Sequence, residues 1–191
     1  MSNDFFFKEL DVEFKGQKIL QDFLPTATWE WIPYMNVCNN FGDDFKKRFI
    51  NTATYSASTK LIIADKFVND VVSHFGIRQR LYNIPANSTY KWHVDLEVAF
   101  SLNMILDDYD CKTVFEVEKI SPQLSKIVEI KYTPHKWYLF NSQKLHTVIN
   151  TDSRDRPLYT ILFYKDHKYS LQNFLDWYDK SGYNTSSKIG L

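Results

Sequence analysis

The sequence predicts a mainly β fold: an eight-stranded double-stranded β-helix (jelly roll) with flanking α-helices. Between residues 77 and 164, eight short runs are apolar or alternate between apolar and polar residues. Breaks rich in turn residues, such as PANS and DDYD, separate these runs. Short strands at this spacing are typical of antiparallel sandwiches and small barrels. Clear helical spacing of apolar residues falls outside this region, on its two flanks.

The eight predicted strands contain many β-branched and aromatic residues, which favour strands. In chain order they cover residues 77–84, 89–95, 99–106, 111–118, 127–132, 136–140, 144–150 and 158–164. Upstream of them, EWIPYMNV is interpreted as a strand that Pro33 interrupts.

The flanking helices are predicted from apolar residues that recur with the 3.6-residue period of an α-helix. In residues 65–76, apolar side chains share one helical face and Gly76 follows as a stop signal. Residues 170–180 place Leu171, Phe174 and Tyr178 at helical spacing.

We expect a single domain over residues 1–191. Residues 1–76 would form a mixed α/β elaboration, 77–164 the jelly-roll core, and 165–191 a C-terminal helix and tail.

The composition favours a folded protein without an electrostatic partner. Hydrophobic residues make up 44% and aromatic residues 17% of the chain, which is ample for a core. Because 23 basic residues balance 23 acidic ones, we expect no nucleic-acid or anionic membrane partner. The start lacks the pattern of a secretory leader, no apolar run is long enough for a membrane span, and Cys38 and Cys111 are the two thiols. A reducing, cytoplasmic compartment is therefore expected.

Two candidate metal ligands lie one residue apart in the predicted strand 89–95. Residues i and i+2 of a strand point to the same face, so His93 and Asp95 would project together. His146, which follows a polar turn near the start of the seventh strand, is the favoured third ligand. His135 and His167 are weaker candidates because each lies beside a lysine in a turn.

Such a trio suits two kinds of metal chemistry. Two His and one carboxylate leave three positions of an octahedral ion open, as in non-haem Fe(II) oxygenases. The same trio could hold Zn(II) with a water, as in hydrolases. Glu97 shares the alternation and is a rival ligand, but a solvated carboxylate at the strand end is the simpler interpretation.

Arg156, ten residues after His146, favours the oxygenase interpretation. A cosubstrate such as 2-oxoglutarate chelates the metal at one end and needs an anchor for its other carboxylate. A guanidinium can bind that carboxylate with two parallel hydrogen bonds. The alternative for Arg156 is an ion pair with Asp152 or Asp155, and the competing arginine is Arg154, which we interpret as solvated.

The segments IPANSTYKWHVD, SLNMIL and YTPHKWYLFNSQKLHTVINTDSRDRPLYTILF resemble the Fe(II)/2-oxoglutarate-dependent oxygenases. The likeness is to the aspartyl/asparaginyl β-hydroxylase-like branch, which includes small proline hydroxylases. It implies that His93, Asp95 and His146 bind iron and that Arg156 binds the C5 carboxylate of 2-oxoglutarate.

The resemblance also bears on the second contact with the cosubstrate. Tyr82, on the strand leading into the motif, is one candidate. Relatives often carry a second basic residue on the third strand, where this chain offers Asn103 as a hydrogen-bond donor instead.

The function implied is hydroxylation of an unactivated C–H bond of an amino acid or amino-acid residue. Fe(II), 2-oxoglutarate and O₂ would be required, with release of succinate and CO₂. The partner would be a small molecule or a protein side chain, with a free amino acid slightly favoured by the short chain. A non-catalytic jelly-roll binding module and a zinc hydrolase remain the alternatives.

Overall fold

Two antiparallel sheets face each other in the computed structural model, which describes residues 5–26, 29–31, 37–38, 51–53, 65–184 and 188–190. The strands are β1 (Phe7–Glu13), β2 (Trp29–Trp31), β3 (Val37–Cys38), β4 (Asn51–Ala53), β5 (Arg78–Ile84), β6 (Ser88–His93), β7 (Val98–Ile105), β8 (Cys111–Ser121), β9 (Leu124–Lys131), β10 (Lys136–Phe140), β11 (His146–Asn150), β12 (Arg156–Tyr164) and β13 (Lys188–Gly190). The described helices are α1 (Gln17–Phe23), α2 (Lys66–Phe75) and α3 (Leu171–Lys180), with a 3₁₀ turn at Leu24–Thr26.

The order of the strands confirms the predicted jelly roll. The larger sheet runs β13-β1-β10-β7-β12-β5-β4-β2, and the smaller sheet runs β3-β6-β11-β8-β9. From β5 to β12 the chain changes sheet at every connection except the β8–β9 hairpin. This winding brings strands that are distant in sequence to both walls of one interior.

All eight predicted core strands are present, but some bounds differ. β6 ends at His93, so the prediction that Asp95 belongs to this strand is wrong. The reason is that His93 pairs with His146, the first residue of β11, and the ladder has no further partner residue. The hairpin is also longer than expected, since only Pro122 and Gln123 separate β8 from β9.

The chain ends add strands that the sequence did not predict. β1 alternates between partly buried and buried residues and pairs with β10, while β13 from the tail pairs with β1. In the predicted strand EWIPYMNV, residues 32–36 lie outside the described residues, and the flanking β2 and β3 are short.

Helices cover one face of the larger sheet. Phe67, Val71 and Phe75 of α2 pack with Phe174 and Tyr178 of α3. The sheet contributes Leu102, Trp137, Tyr159 and Ile161 to the same cluster. This layer supports the larger sheet from behind and leaves its other face to the interior.

Helix α2 begins and ends as its sequence predicts. Asp65 is its N-cap and accepts hydrogen bonds from the backbone N–H of Val68 at 2.9 Å and of Lys15 at 2.7 Å. Gly76 ends the helix with a φ of 66°, a left-handed conformation that glycine adopts without strain.

None of the described helices is long and apolar enough to cross a membrane. Cys111 is a buried free thiol. The side chain of Cys38 lies outside the described part of the structure, and the cytoplasmic compartment stays a prediction.

Asp65→Ala should lower the free energy of unfolding by about 2 kcal/mol, because it removes a helix cap and leaves the buried N–H of Val68 without its acceptor. Asp22→Ala is the control, since Asp22 forms only an exposed i,i+4 ion pair with Lys18, worth about 0.5 kcal/mol or less. Urea denaturation of both variants measures the difference. Equal losses would contradict the capping role.

Candidate metal centre

Two histidines meet across neighbouring strands of the smaller sheet. His93 ends β6, His146 begins β11, and the two residues are directly paired in register. Their ring centroids lie 4.2 Å apart. Because side chains of directly paired residues stand on the same face of a sheet, both imidazoles project into one space.

Hydrogen bonds with the loop that contains Ser142 and Gln143 hold Asp95 beside the two histidines. Its backbone N–H donates to the carbonyl of Ser142 at 3.1 Å. The Gln143 side chain donates to the carbonyls of Asp95 at 3.0 Å and Val98 at 2.7 Å. The carboxylate Oδ1 of Asp95 then lies 3.5 Å from Nε2 of His93. Loop contacts, and not strand alternation, therefore place the carboxylate.

The predicted trio is brought together. One ligand atom from each of His93, Asp95 and His146 lies within 4.8 Å of the others. Ligands bound at about 2.1 Å to one ion lie about 3 Å apart, so small side-chain movements would complete the coordination. The trio could hold a divalent metal ion.

The protonation states of His146 and Asp95 suit metal binding. Burial lowers the pKa of His146 to about 4, with His93 lowering it further and Asp95 opposing the shift. Burial raises the pKa of Asp95, but the hydrogen bond with His93 and the charge of His146 outweigh it, so this pKa lies below its ordinary value. Neutral imidazole and ionised carboxylate are the forms that bind metal.

A backbone contact orients the ring of His146. Nδ1 of His146 lies 2.8 Å from the carbonyl oxygen of Lys144, a distance at which an Nδ1–H donates to that oxygen. This tautomer leaves the lone pair of Nε2 for a metal. Such contacts commonly orient histidine ligands.

The rival ligands lie elsewhere. Glu97 is exposed. Nε2 of His135 lies 2.8 Å from the carbonyl of Leu106, and Nδ1 of His167 accepts from the backbone N–H of Tyr169 at 3.3 Å. Among the described residues, the metal-binding group contains none of the three.

Arg156 lies in the same pocket as the trio, as the first residue of β12. Its side chain is 0% exposed, and none of its three guanidinium nitrogens has a hydrogen-bond partner among the described residues. The ring of Tyr132 lies 5.0 Å from its Cζ, as measured to the ring centroid. A cation is thus buried with no anionic partner in the part of the chain that the structure describes.

Asp152 and Asp155, the two acids considered as ion-pair partners of Arg156, form hydrogen bonds with other groups. Asp155 accepts hydrogen bonds from Nδ2 of Asn83 and from the backbone of Ala86, each at 2.9 Å. Asp152 pairs with Arg154 at 2.9 Å. Arg154, whose side chain is 51% exposed, also pairs with Asp107, so its interpretation as a solvated arginine agrees with the structure.

The two other predicted residues, Tyr82 and Asn103, also line the pocket. Oδ1 of Asn103 accepts from the hydroxyl of Thr160 at 2.6 Å. The sequence did not single out Thr113 and Tyr132, whose hydroxyls are 3.1 Å apart beside Arg156. Thr113 faces the pocket from β8, and Tyr132 directly follows β9. No local sequence motif distinguishes these positions.

Asn150 lies within the HTVIN part of the motif, but the sequence did not predict its role, which is to organise the chain around Arg156. Its buried side-chain amide donates to the carbonyls of Ile84 at 3.1 Å, Pro85 at 2.9 Å and Arg154 at 3.1 Å. One side chain therefore connects the end of β5, the end of β11 and the turn before β12.

Solved structures share this fold. A prolyl hydroxylase from Trichoplax adhaerens, in complex with a peptide fragment of hypoxia inducible factor, has a TM-score of 0.57 and 13% identity, covering 86% of this chain and 85% of that one. A Pseudomonas putida prolyl-4-hydroxylase has a TM-score of 0.54 and 11% identity, covering 84% and 92%. HygX from Streptomyces hygroscopicus, with nickel, 2-oxoglutarate and hygromycin B bound, has a TM-score of 0.52 and 8% identity, covering 83% and 82%.

No family model matches this sequence, and no curated protein matches it either. The likeness to solved structures establishes the fold, and the functional argument depends on the pocket itself.

Asp95→Ala should abolish stoichiometric Fe(II) binding while leaving the unfolding transition in place, because Asp95 lies in a loop and not in the core. Glu97→Ala, two residues away and exposed, should bind Fe(II) like the wild type. Metal content after anaerobic gel filtration distinguishes the two. Stoichiometric Fe(II) in a His93→Ala/His146→Ala double variant would show that the trio is not the metal site.

Proposed function

We propose that this protein is an Fe(II)- and 2-oxoglutarate-dependent dioxygenase that hydroxylates an unactivated C–H bond and releases succinate and CO₂. The observation that carries the proposal is the buried guanidinium of Arg156, which shares a pocket with the His93–Asp95–His146 trio. The trio supplies metal ligands and the arginine supplies a carboxylate anchor. A ligand that chelates the metal at one end and carries a carboxylate at the other satisfies both.

The charge of Arg156 calls for an anion in the pocket. A charge that is buried without a partner costs several kcal/mol even after relaxation. The far carboxylate of 2-oxoglutarate would offset this cost by accepting two parallel hydrogen bonds from the guanidinium. In this arrangement the cosubstrate would span from the trio to Arg156.

The hydroxyls of Thr113 and Tyr132 support the same carboxylate position. Both side chains are buried, and their two hydroxyls carry two protons, of which one is used in the hydrogen bond between them. The other proton remains to be donated. Together with Arg156, the cluster is rich in donors and poor in acceptors, which suits a carboxylate. Tyr82 and Asn103 remain predicted contacts nearer the centre of the pocket.

The chemistry itself would belong to the metal: Fe(II) with 2-oxoglutarate and O₂ supplies the oxidation of the C–H bond. The protein's own contribution is to keep His146 neutral and Asp95 ionised, to anchor the cosubstrate and to exclude water. Burial of His146 and Arg156 serves the last two purposes.

Arg156 also weighs against the two alternatives. A zinc hydrolase could use the trio but has no use for a buried guanidinium at the other end of the pocket. A non-catalytic module gives no reason to keep both the trio and an uncompensated cation. For the substrate class, we propose an amino acid or amino-acid residue, in keeping with the sequence resemblance to the aspartyl/asparaginyl β-hydroxylase-like branch and the prolyl hydroxylases of similar fold.

Arg156→Ala should weaken 2-oxoglutarate binding at least about tenfold. A hydrogen bond to a charged group is worth about 1.5–3 kcal/mol, and about 1.4 kcal/mol corresponds to a factor of ten. Arg156→Lys keeps the charge without the paired hydrogen bonds and should fall between the wild type and Ala. Anaerobic titration of the Fe(II) protein, followed by the visible band of the chelate, gives the affinities.

Arg154→Ala is the matched control and should bind 2-oxoglutarate like the wild type, since its partners are exposed acids. Fe(II) affinity without cosubstrate should be unchanged in all three variants. The proposal is wrong if Arg156→Ala binds 2-oxoglutarate as tightly as the wild type and the wild type forms no succinate from it.

A further inference from the structure

A buried hydroxyl in the loop between β10 and β11 has no hydrogen-bond partner in the part of the chain that the structure describes. This hydroxyl belongs to Ser142, which is 0% exposed. Ser88 and Thr160 also bury their hydroxyls, but each donates a hydrogen bond at 2.6 Å, to the carbonyl of Pro85 and to Oδ1 of Asn103. Burying a hydroxyl without a partner costs stability, so the Ser142 hydroxyl calls for an explanation.

Backbone contacts fix Ser142 beside the candidate metal ligand Asp95. The Ser142 carbonyl accepts a hydrogen bond from the backbone N–H of Asp95 at 3.1 Å, and the side chain of Gln143 donates to the carbonyl of Asp95 at 3.0 Å. The loop is also held at its start, where Nδ2 of Asn141 donates to the carbonyl of Phe5 at 3.0 Å. None of these contacts involves the Ser142 hydroxyl, which is therefore left for another purpose.

The hydroxyl of Ser142 lies close to the carboxylate of Asp95. Burial raises the pKa of Asp95, and the Ser142 hydroxyl is among the groups, after His93 and His146, that lower it. The two side chains are near each other without reaching hydrogen-bond geometry. Oδ1 of Asp95 lies 3.5 Å from Nε2 of His93, whereas ligands of one ion lie about 3 Å apart, so metal binding requires the carboxylate to move. The hydroxyl proton of Ser142 can rotate to follow it.

The carboxylate of Asp95 has an oxygen to offer this hydroxyl. An ionised carboxylate accepts hydrogen bonds through both of its oxygens. One of them, together with His93 and His146, leaves three positions of an octahedral ion open. Coordination through both oxygens would leave fewer positions than 2-oxoglutarate and O₂ need together. A hydrogen bond to the second oxygen holds that oxygen away from the metal.

We propose that Ser142 is a positioning residue, whose hydroxyl donates a hydrogen bond to the carboxylate of Asp95 in the metal-loaded protein and leaves one carboxylate oxygen for the metal. The inference rests on the proposed function, because the oxygen that is held back keeps open a position needed by the cosubstrate or O₂. It also gives the buried hydroxyl of Ser142 an acceptor.

Ser142→Ala removes this hydroxyl without adding any atom. Anaerobic Fe(II) binding should weaken at least about tenfold, or about 1.4 kcal/mol, because hydrogen bonds to a ligating carboxylate support metal affinity. In protein stripped of metal, the urea midpoint should stay the same or rise, since a buried hydroxyl without a partner does not stabilise the fold. At saturating Fe(II), 2-oxoglutarate should bind more weakly than to the wild type, as measured by the visible chelate band.

Ser88→Ala is the matched control, because it also removes a buried serine hydroxyl, but one with a partner. Its urea midpoint should fall and its Fe(II) affinity should remain that of the wild type. Ser142→Thr is the conservative variant, which keeps the hydroxyl and adds a methyl group at a fully buried position. Packing alone would rank Thr below Ala, whereas the hydrogen bond ranks Thr above Ala in Fe(II) affinity.

The outcomes separate this inference from the function beneath it. Wild-type Fe(II) affinity in Ser142→Ala, a fall in its urea midpoint as large as that of Ser88→Ala, or unchanged 2-oxoglutarate binding would overturn the inference, while the chelate band of the wild type would still support an oxygenase. The comparison of Ser142→Ala with the wild type decides even if Ser142→Thr does not fold. If the wild-type protein binds no Fe(II) or never forms the chelate band, the proposed function fails and the inference falls with it.

Discussion

The buried charge of Arg156, to which the described residues provide no anion, is the constraint on which the rest of the pocket depends. Its guanidinium is removed from water, and the described residues offer it an aromatic ring and no carboxylate. A desolvated cation–π contact of this kind contributes about 2 kcal/mol or somewhat more, whereas burying an ion costs several kcal/mol. The fold can tolerate the deficit because packing elsewhere is extensive, with an aromatic core on the helix side of the larger sheet. Binding of a ligand anion would offset the cost of burying the Arg156 charge.

The jelly-roll topology fixes the distance between the metal ligands and the buried guanidinium of Arg156. β11 runs from His146, within the trio, to Asn150, whose amide holds the chain before Arg156. The length of this one strand therefore sets the distance between the metal ligands and the carboxylate anchor. Asn150 also bonds to the carbonyls of Ile84 and Pro85, so the smaller sheet fixes the end of β5 in the larger one. A change in either sheet would alter the span available to a chelating ligand.

The sequence predicts those parts of the site that depend on local pattern. Strand spacing and turn residues predict the eight core strands. His93 was identified by its spacing from Asp95, His146 by its position after a polar turn, and Arg156 by its suitability as a carboxylate anchor shortly after His146. Asp95 was identified for the wrong reason, since its position depends on the Gln143 side chain and the Ser142 carbonyl, contacts across about 48 residues of chain. β1 escaped prediction because charged residues alternate with its apolar ones and its partner, β10, is remote in sequence. Contacts of this kind have no local signature.

Arg154 and Arg156 show how the environment decides the role of a residue type. Asp107 and Asp152 accept hydrogen bonds from Arg154 at the surface, where such pairs contribute about 1 kcal/mol or less. Two residues later β12 begins, and strand alternation directs Arg156, Leu158 and Thr160 towards the pocket. Both arginines are within reach of acidic residues in sequence, yet Asp155 is already bound by Asn83 and Ala86. Because the described acids nearest in sequence are all engaged, the described part of the chain offers Arg156 no anion, and the far carboxylate of the proposed cosubstrate would supply one.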